Sequence, residues 1–90
     1  MTPEQKGRCS EILNHFGCEA QVVQACQELG ELQEALLGGD EEQIVDEIAD
    51  AKIMIQQMEE SFYIYSQVKA RVEKKLTLTE LRIRTGFYDK

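Results

Sequence analysis

Apolar residues recur along most of the 90-residue chain at steps of three and four, which is the spacing of a helix with one apolar side. This spacing predicts four helices, at about residues 3–16, 19–37, 41–61 and 66–84. Residues 76–80 alternate in a way that a strand could use, but no partner strand is visible elsewhere in the sequence. We therefore expect one all-α domain over residues 1–90, folded as an antiparallel four-helix bundle-like subunit.

The predicted helix ends carry residues that cap helices. Thr2 and Gln5 have the spacing of a capping box, with Pro3 between them at the first helical position, and Gly17 suits the end of helix 1. Asp40 is the expected N-cap of helix 3 and follows a pair of glycines. The short turn around these glycines predicts that helices 2 and 3 form an antiparallel hairpin.

Helices 2 and 3 carry apolar stripes that need cover. On helix 2 one stripe is predicted, formed by Val22, Cys26, Leu29, Leu32 and Leu36. Helix 3 has two stripes on opposite sides, formed by Ile44, Ile48, Ala51, Ile55 and Met58 and by Val45, Ala49 and Ile53. Because four helices of so short a chain cover both sides of helix 3 poorly, we expect a homo-oligomer, either a homodimer or a homotetramer.

Two pairs of acidic residues stand three positions apart in these same helices, Glu28 with Glu31 and Glu47 with Asp50. Residues at this spacing share one helix face, about 5–6 Å apart at Cβ. In the hairpin all four carboxylates can converge, and two unit charges about 4 Å apart repel by roughly 4 kcal/mol at an effective dielectric near 20. A divalent cation removes that cost, and carboxylate oxygens suit Mg²⁺. For either pair alone, ordinary solvated helix charges are the alternative interpretation.

The ExxE and ExxD steps, in residues 27–32 and 46–50, resemble those of the MazG-like all-α nucleoside triphosphate pyrophosphohydrolases. The likeness extends to residues 14–21 and to the surroundings of Lys75 and Arg82, so it covers most of the chain. The resemblance implies hydrolysis of a nucleoside triphosphate to a nucleoside monophosphate and pyrophosphate, a reaction that clears unwanted nucleotides from the pool. It also implies a set of metal ligands for Mg²⁺, with Mn²⁺ as a substitute, namely Glu28, Glu31, Glu47 and Asp50.

The resemblance implies roles for single residues as well. Glu31 or Glu47 would accept the proton of the attacking water. Lys75 and Arg82 are seven residues apart and share one side of helix 4, where they bind phosphates or serve as plain surface charge. Gln21 lies on the side of helix 2 that carries Glu28, and we expect it to contact the nucleotide, although an ordinary solvent face has the same pattern.

Charge and composition limit the partners. The net charge of −7 argues against binding a nucleic acid polymer, whereas the phosphates of a free nucleotide can reach an acidic protein through bound metal. No apolar run approaches the roughly 20 residues of a membrane span, and the N-terminus lacks a signal-peptide layout, so we expect a cytoplasmic protein with no membrane contact.

Three cysteines, Cys9, Cys18 and Cys26, lack a CxxC pairing, which argues against a disulfide framework or a structural zinc site and favours buried thiols.

The alternative to an enzyme is a non-catalytic helical dimerisation module whose acidic ridge is solvated. An enzyme should require Mg²⁺ and release pyrophosphate, whereas such a module should bind no nucleotide.

Overall fold

The computed structural model describes residues 1–89, and over this range the protein consists of four α-helices with no β-strand. The helices are α1 (Pro3–Phe16), α2 (Cys18–Gly38), α3 (Glu41–Ser61) and α4 (Tyr65–Arg84). The all-α prediction is confirmed, and residues 76–80 lie within α4. None of the described helices is both long enough and apolar enough to span a bilayer.

The helix ends follow the predicted signals. The Gln5 amide donates to Thr2 Oγ1 at 3.1 Å, and the Thr2 amide donates to Gln5 Oε1 at 3.0 Å, so the capping box is complete. Gly39 ends α2 in the left-handed conformation, with φ of 76°, a value that glycine adopts without strain. The Gln43 amide then donates to Asp40 Oδ1 at 3.2 Å, which starts α3. The turn between α2 and α3 is therefore fixed by local chemistry.

Helices α2 and α3 pack together along their lengths, and α1 lies against both. The buried side chains at their junction are mostly small or flexible. They are Cys9, Leu13, Ala25, Ala35, Ala51 and Met54, together with the polar Gln21 and Gln57. A core of this kind allows close approach of the helix backbones, so polar residues near the α2–α3 contact become enclosed.

The face that α2 buries is not the predicted leucine stripe. Leu29 and Leu36 of that stripe are 47% and 56% exposed, and Cys26 is also exposed. The buried positions are instead Ala25, Ala35 and Gln21, which lie on the side that carries Glu28. The small alanines allow α3 to approach, and the buried Gln21 amide donates to Gln57 Oε1 at 2.7 Å. The stripe lies on a helix as predicted, but within one chain only its Val22 and Leu32 are half-buried.

Helix α4 projects from the three-helix body. It has no buried residue, and its backbone lies close to that of α3 alone. Its first residue, Tyr65, is held by Lys6 of α1, whose Nζ lies 4.5 Å from the ring centroid. The radius of gyration is 16.1 Å, whereas a compact domain of this length has about 12 Å. The chain thus divides into a packed body and an extended arm.

The three cysteines are all free thiols, and the prediction that they are buried is wrong for two of them. Cys9 is buried, and this burial raises the pKa of its thiol, with a further increase from the charge of Glu60. Cys18 and Cys26 are exposed. Cys18 is the first residue of α2, and Cys26 lies on the uncovered stripe, so both follow from how α2 is oriented.

Candidate metal centre

The hairpin brings three carboxylates together across the α2–α3 contact. Glu28 extends from α2, while Glu47 and Asp50 stand one turn apart on α3. Each offers one carboxylate oxygen, and these three oxygens all lie within 4.8 Å of one another. The convergence that the residue spacing predicted is therefore present for these three side chains.

Glu31 lies at the margin of this group. Its side chain is exposed, and it is not one of the three residues whose carboxylate oxygens lie within 4.8 Å of one another. Its charge nevertheless contributes to the raised pKa of Glu47, so the two carboxylates are close enough to interact. The structure places Glu31 beside the cluster rather than inside it, and its predicted roles as ligand and proton acceptor stay predictions.

The cluster is electrostatically crowded. Desolvation raises the pKa of Glu47, and the nearby charges of Glu31, Asp50 and Glu28 raise it further. The pKa of Asp50 is also raised, first by desolvation and then by Glu28 and Asp46. No Lys or Arg among residues 1–89 contributes to either shift. Like charges are thus held together without a neutralising side chain.

Two carboxylate oxygens of the cluster lack a hydrogen-bond partner within the described chain. Glu28 Oε2 and Glu47 Oε2 are buried and have no hydrogen-bond partner among residues 1–89. The other oxygen of Glu28 accepts a hydrogen bond from Gln24 Nε2 at 2.7 Å, which orients the carboxylate. A buried acceptor without a partner is destabilising, and more so when it is charged. A hard divalent cation would bind such oxygens and neutralise them, so the residues present fit Mg²⁺.

Gln21 was predicted to lie on a polar side of helix 2 that contacts the nucleotide, but the structure places it in the core. It is only 6% exposed, and its amide is engaged by Gln57, which is 1% exposed. Sequence reasoning missed Gln57, although its position between Met54 and Met58 on a helix of regular period could have indicated burial. Its Nε2 has no partner within the described chain. A nucleotide contact by Gln21 stays a prediction that this core hydrogen bond does not favour.

Lys75 and Arg82 lie on the projecting helix α4. Lys75 is exposed, and the Arg82 guanidinium stacks over Phe87 with Cζ 4.8 Å from the ring centroid. Neither residue is among the charges that act on the pKa of Glu47 or Asp50. The fold of a single chain therefore leaves these two cations apart from the acidic cluster.

Comparison with known proteins assigns no family to the chain. No protein-family model, no curated protein and no solved structure matches it. The three converging carboxylates, and the acidic pattern that predicted them, are consequently the features that point to a function.

Proposed function

We propose that the protein hydrolyses a nucleoside triphosphate to a nucleoside monophosphate and pyrophosphate in a reaction that depends on Mg²⁺. The observation that carries the proposal is the convergence of carboxylate oxygens of Glu28, Glu47 and Asp50 within 4.8 Å of one another. Among the described residues, no cationic side chain contributes to the raised pKa values of Glu47 and Asp50. The resemblance of the ExxE and ExxD steps to MazG-like pyrophosphohydrolases supplies the substrate class. Clearing unwanted nucleotides from the cytoplasmic pool is the role that we infer for this activity.

The acidic residues of the cluster serve as metal ligands and as the proton acceptor. Glu28, Glu47 and Asp50 hold Mg²⁺, or Mn²⁺ in its place, and Glu31 completes the site at its margin. The bound cation would supply Lewis acidity toward a phosphate oxygen and lower the pKa of a water molecule. Glu31 or Glu47 accepts a proton from the attacking water. The water oxygen forms a bond to the α-phosphorus. The bond between the α-phosphorus and the oxygen that bridges to the β-phosphorus breaks, and pyrophosphate leaves with that oxygen.

The phosphates that the cation does not neutralise require other donors. Lys75 and Arg82 are the candidates, and the position of α4 in one chain keeps them away from the cluster. We therefore propose that they act in trans within a homo-oligomer, either a homodimer or a homotetramer. The arginine fork suits a bidentate contact with phosphate, whereas the lysine acts as a point charge.

The test is a pyrophosphate-release assay with the full chain, each common ribonucleoside and deoxyribonucleoside triphosphate, and Mg²⁺ or EDTA. We expect release that requires Mg²⁺ and is lost in Asp50→Asn. Glu34→Gln removes one negative charge from an exposed position on α2 and serves as the matched control, with activity near that of the wild type. Absence of release with every triphosphate would exclude the proposal.

A non-catalytic helical dimerisation module is the second candidate, because α2 and α4 leave many apolar residues exposed. Such a module would self-associate and bind neither Mg²⁺ nor a nucleotide at the acidic cluster. Isothermal titration of the protein with Mg²⁺, with and without a non-hydrolysable triphosphate analogue, separates the two. Saturable binding that is lost in Asp50→Asn supports the enzyme, and absence of heat with both ligands supports the module.

A further inference from the structure

The arm and the body carry opposite charge. Helix α4 contains six Lys and Arg residues and two Glu residues, a formal net charge of +4. Residues 1–64 contain 14 acidic and three basic side chains, a formal net charge of −11. The net charge of −7 is therefore the sum of a strongly acidic body and a basic helix. Two copies of the chain would attract each other if the arm of one met the body of the other.

The basic helix also presents an uncovered apolar stripe. Val72, Leu76 and Ile83 share one side of α4, and they are 52%, 55% and 64% exposed. Lys69 and Lys75 each lie three residues from Val72, one on either side, so they border the stripe. An apolar stripe flanked by cations is suited to an apolar surface that is flanked by carboxylates.

The hairpin offers a surface of that kind. Leu29 of α2 and Ile55 of α3, which are 47% and 48% exposed, line an apolar groove of about 290 Å³ between their helices. The chain's own α4 reaches this groove only with Val68, near its start. Glu59 also lines the groove. The same two helices carry further acidic residues elsewhere along their length, among them Glu28, Glu31, Glu47 and Asp50. The α2–α3 hairpin and α4 are therefore complementary in both polarity and net charge.

The exposed area matches what a stable dimer buries. The accessible surface is 7210 Å² for a chain of 10.3 kDa. A compact monomer of this mass exposes about 5,400 Å², so the excess is about 1,800 Å². Each subunit of an obligate dimer buries roughly 1,000–2,500 Å². Docking of the arm on a second copy would bring the exposed area of each chain into the usual range.

We propose that α4 of one copy docks on the α2–α3 surface of a second copy, and that the two copies exchange these helices reciprocally about a twofold axis. The inference rests on the homo-oligomer of the proposed function, and it does not depend on the hydrolysis. A membrane surface or a nucleic acid would match the cations of α4, but it would leave the apolar groove of the acidic hairpin uncovered. A second copy covers both surfaces at once.

Sedimentation of the full chain at micromolar concentration tests the proposal. We expect the wild type to sediment at twice 10.3 kDa and the Val72→Asp/Leu76→Asp variant at 10.3 kDa. Thr77→Asp is the matched control, because Thr77 lies about 140° round the helix from Val72, and it should remain dimeric. Lys69→Glu/Lys75→Glu changes only exposed positions, so its folding is not at issue, and its monomer fraction should also rise. A dimer that persists in both double variants overturns the inference.

Zero-length carbodiimide cross-linking identifies the surface itself. Equal amounts of isotope-labelled and unlabelled chains are mixed, unfolded, refolded together and cross-linked. We expect peptides of mixed isotope content that join Lys69 or Lys75 to carboxylates of α2 or α3. Cross-links confined to one isotope, or a monomer that floats with anionic vesicles through α4, overturn the inference. A dimer that releases no pyrophosphate contradicts the hydrolysis alone. An active monomer contradicts the docking and the action of Lys75 and Arg82 in trans, but not the hydrolysis.

Discussion

The α2–α3 hairpin and α4 are built from helices of nearly equal length, 21, 21 and 20 residues, and they use their side chains in opposite ways. The hairpin encloses glutamine, alanine and carboxylate positions and leaves leucines outside, whereas α4 buries nothing. Carboxylates in the hairpin are crowded and partly desolvated, while the cations of α4 are exposed apart from the half-buried Arg82. The difference shows that an amphipathic helix can bury one side within the chain, as in the hairpin, or leave its apolar side exposed, as in α4.

The largest expected effect is a loss of turnover, caused by substitutions in the α2–α3 hairpin. Glu47→Gln and Asp50→Asn should each lower turnover by about a hundredfold or more, because a cation held there would supply charge stabilisation of several kcal/mol. Steady-state kinetics at saturating Mg²⁺ measures this, with Glu34→Gln as the control. Near-normal Mg²⁺-dependent activity in either variant would remove that residue from the site.

A smaller effect is expected from α4 if its cations bind phosphates in trans. Arg82→Ala should weaken the apparent transition-state binding by roughly 1.5–3 kcal/mol, the range for a hydrogen bond to a charged group. Arg82→Lys should recover only part of the loss, because the bidentate fork is missing. Arg84→Ala on the same exposed last turn is the control for kcat/KM. Values within about twofold of wild type for Arg82→Ala would make Arg82 plain surface charge.

A substitution in the buried glutamine pair of the body should lower stability more than a substitution on the arm. Gln57→Leu should lower the free energy of unfolding by about 1–3 kcal/mol, because the Gln21 amide then remains buried without an acceptor. Adding Gln21→Leu should recover most of that loss, since neither partner is then polar. Thr77→Ala on α4 should change stability by less than about 0.5 kcal/mol. Urea denaturation measures all three, and additive losses in the double variant would contradict the pairing.

The smallest effect is on the pH dependence of the metal-free protein. Because the pKa values of Glu47 and Asp50 are raised on folding, the folded state binds more protons than the unfolded state above their ordinary values of 4.5 and 3.8. Stability should therefore fall as pH rises through that window, and Mg²⁺ should reverse the loss. Thermal unfolding with EDTA or Mg²⁺ measures this. Glu47→Gln should show a shallower fall, and an unchanged slope would contradict the assignment.

Much of the fold could be predicted because its signals are local. The Thr2 and Gln5 capping box, the left-handed Gly39 and the Asp40 cap each depend on residues within one turn, so their chemistry is readable without tertiary structure. Acidic residues three apart likewise share a helix face in any fold. What could not be predicted concerns pairs of helices, such as the exposure of Leu29 and Cys26 and the burial of Gln57.

The sequence by itself determined four helices, their ends, and two carboxylate pairs on the helices of one short hairpin. Only the tertiary structure decided which side of α2 meets α3, that Glu28, Glu47 and Asp50 converge while Glu31 stays at the margin, and that α4 remains uncovered. The physical reason is that helix formation and capping depend on neighbours along the chain. The choice of a buried face depends on how closely two backbones can approach, and here the small side chains of Ala25, Ala35 and Ala51 set that distance.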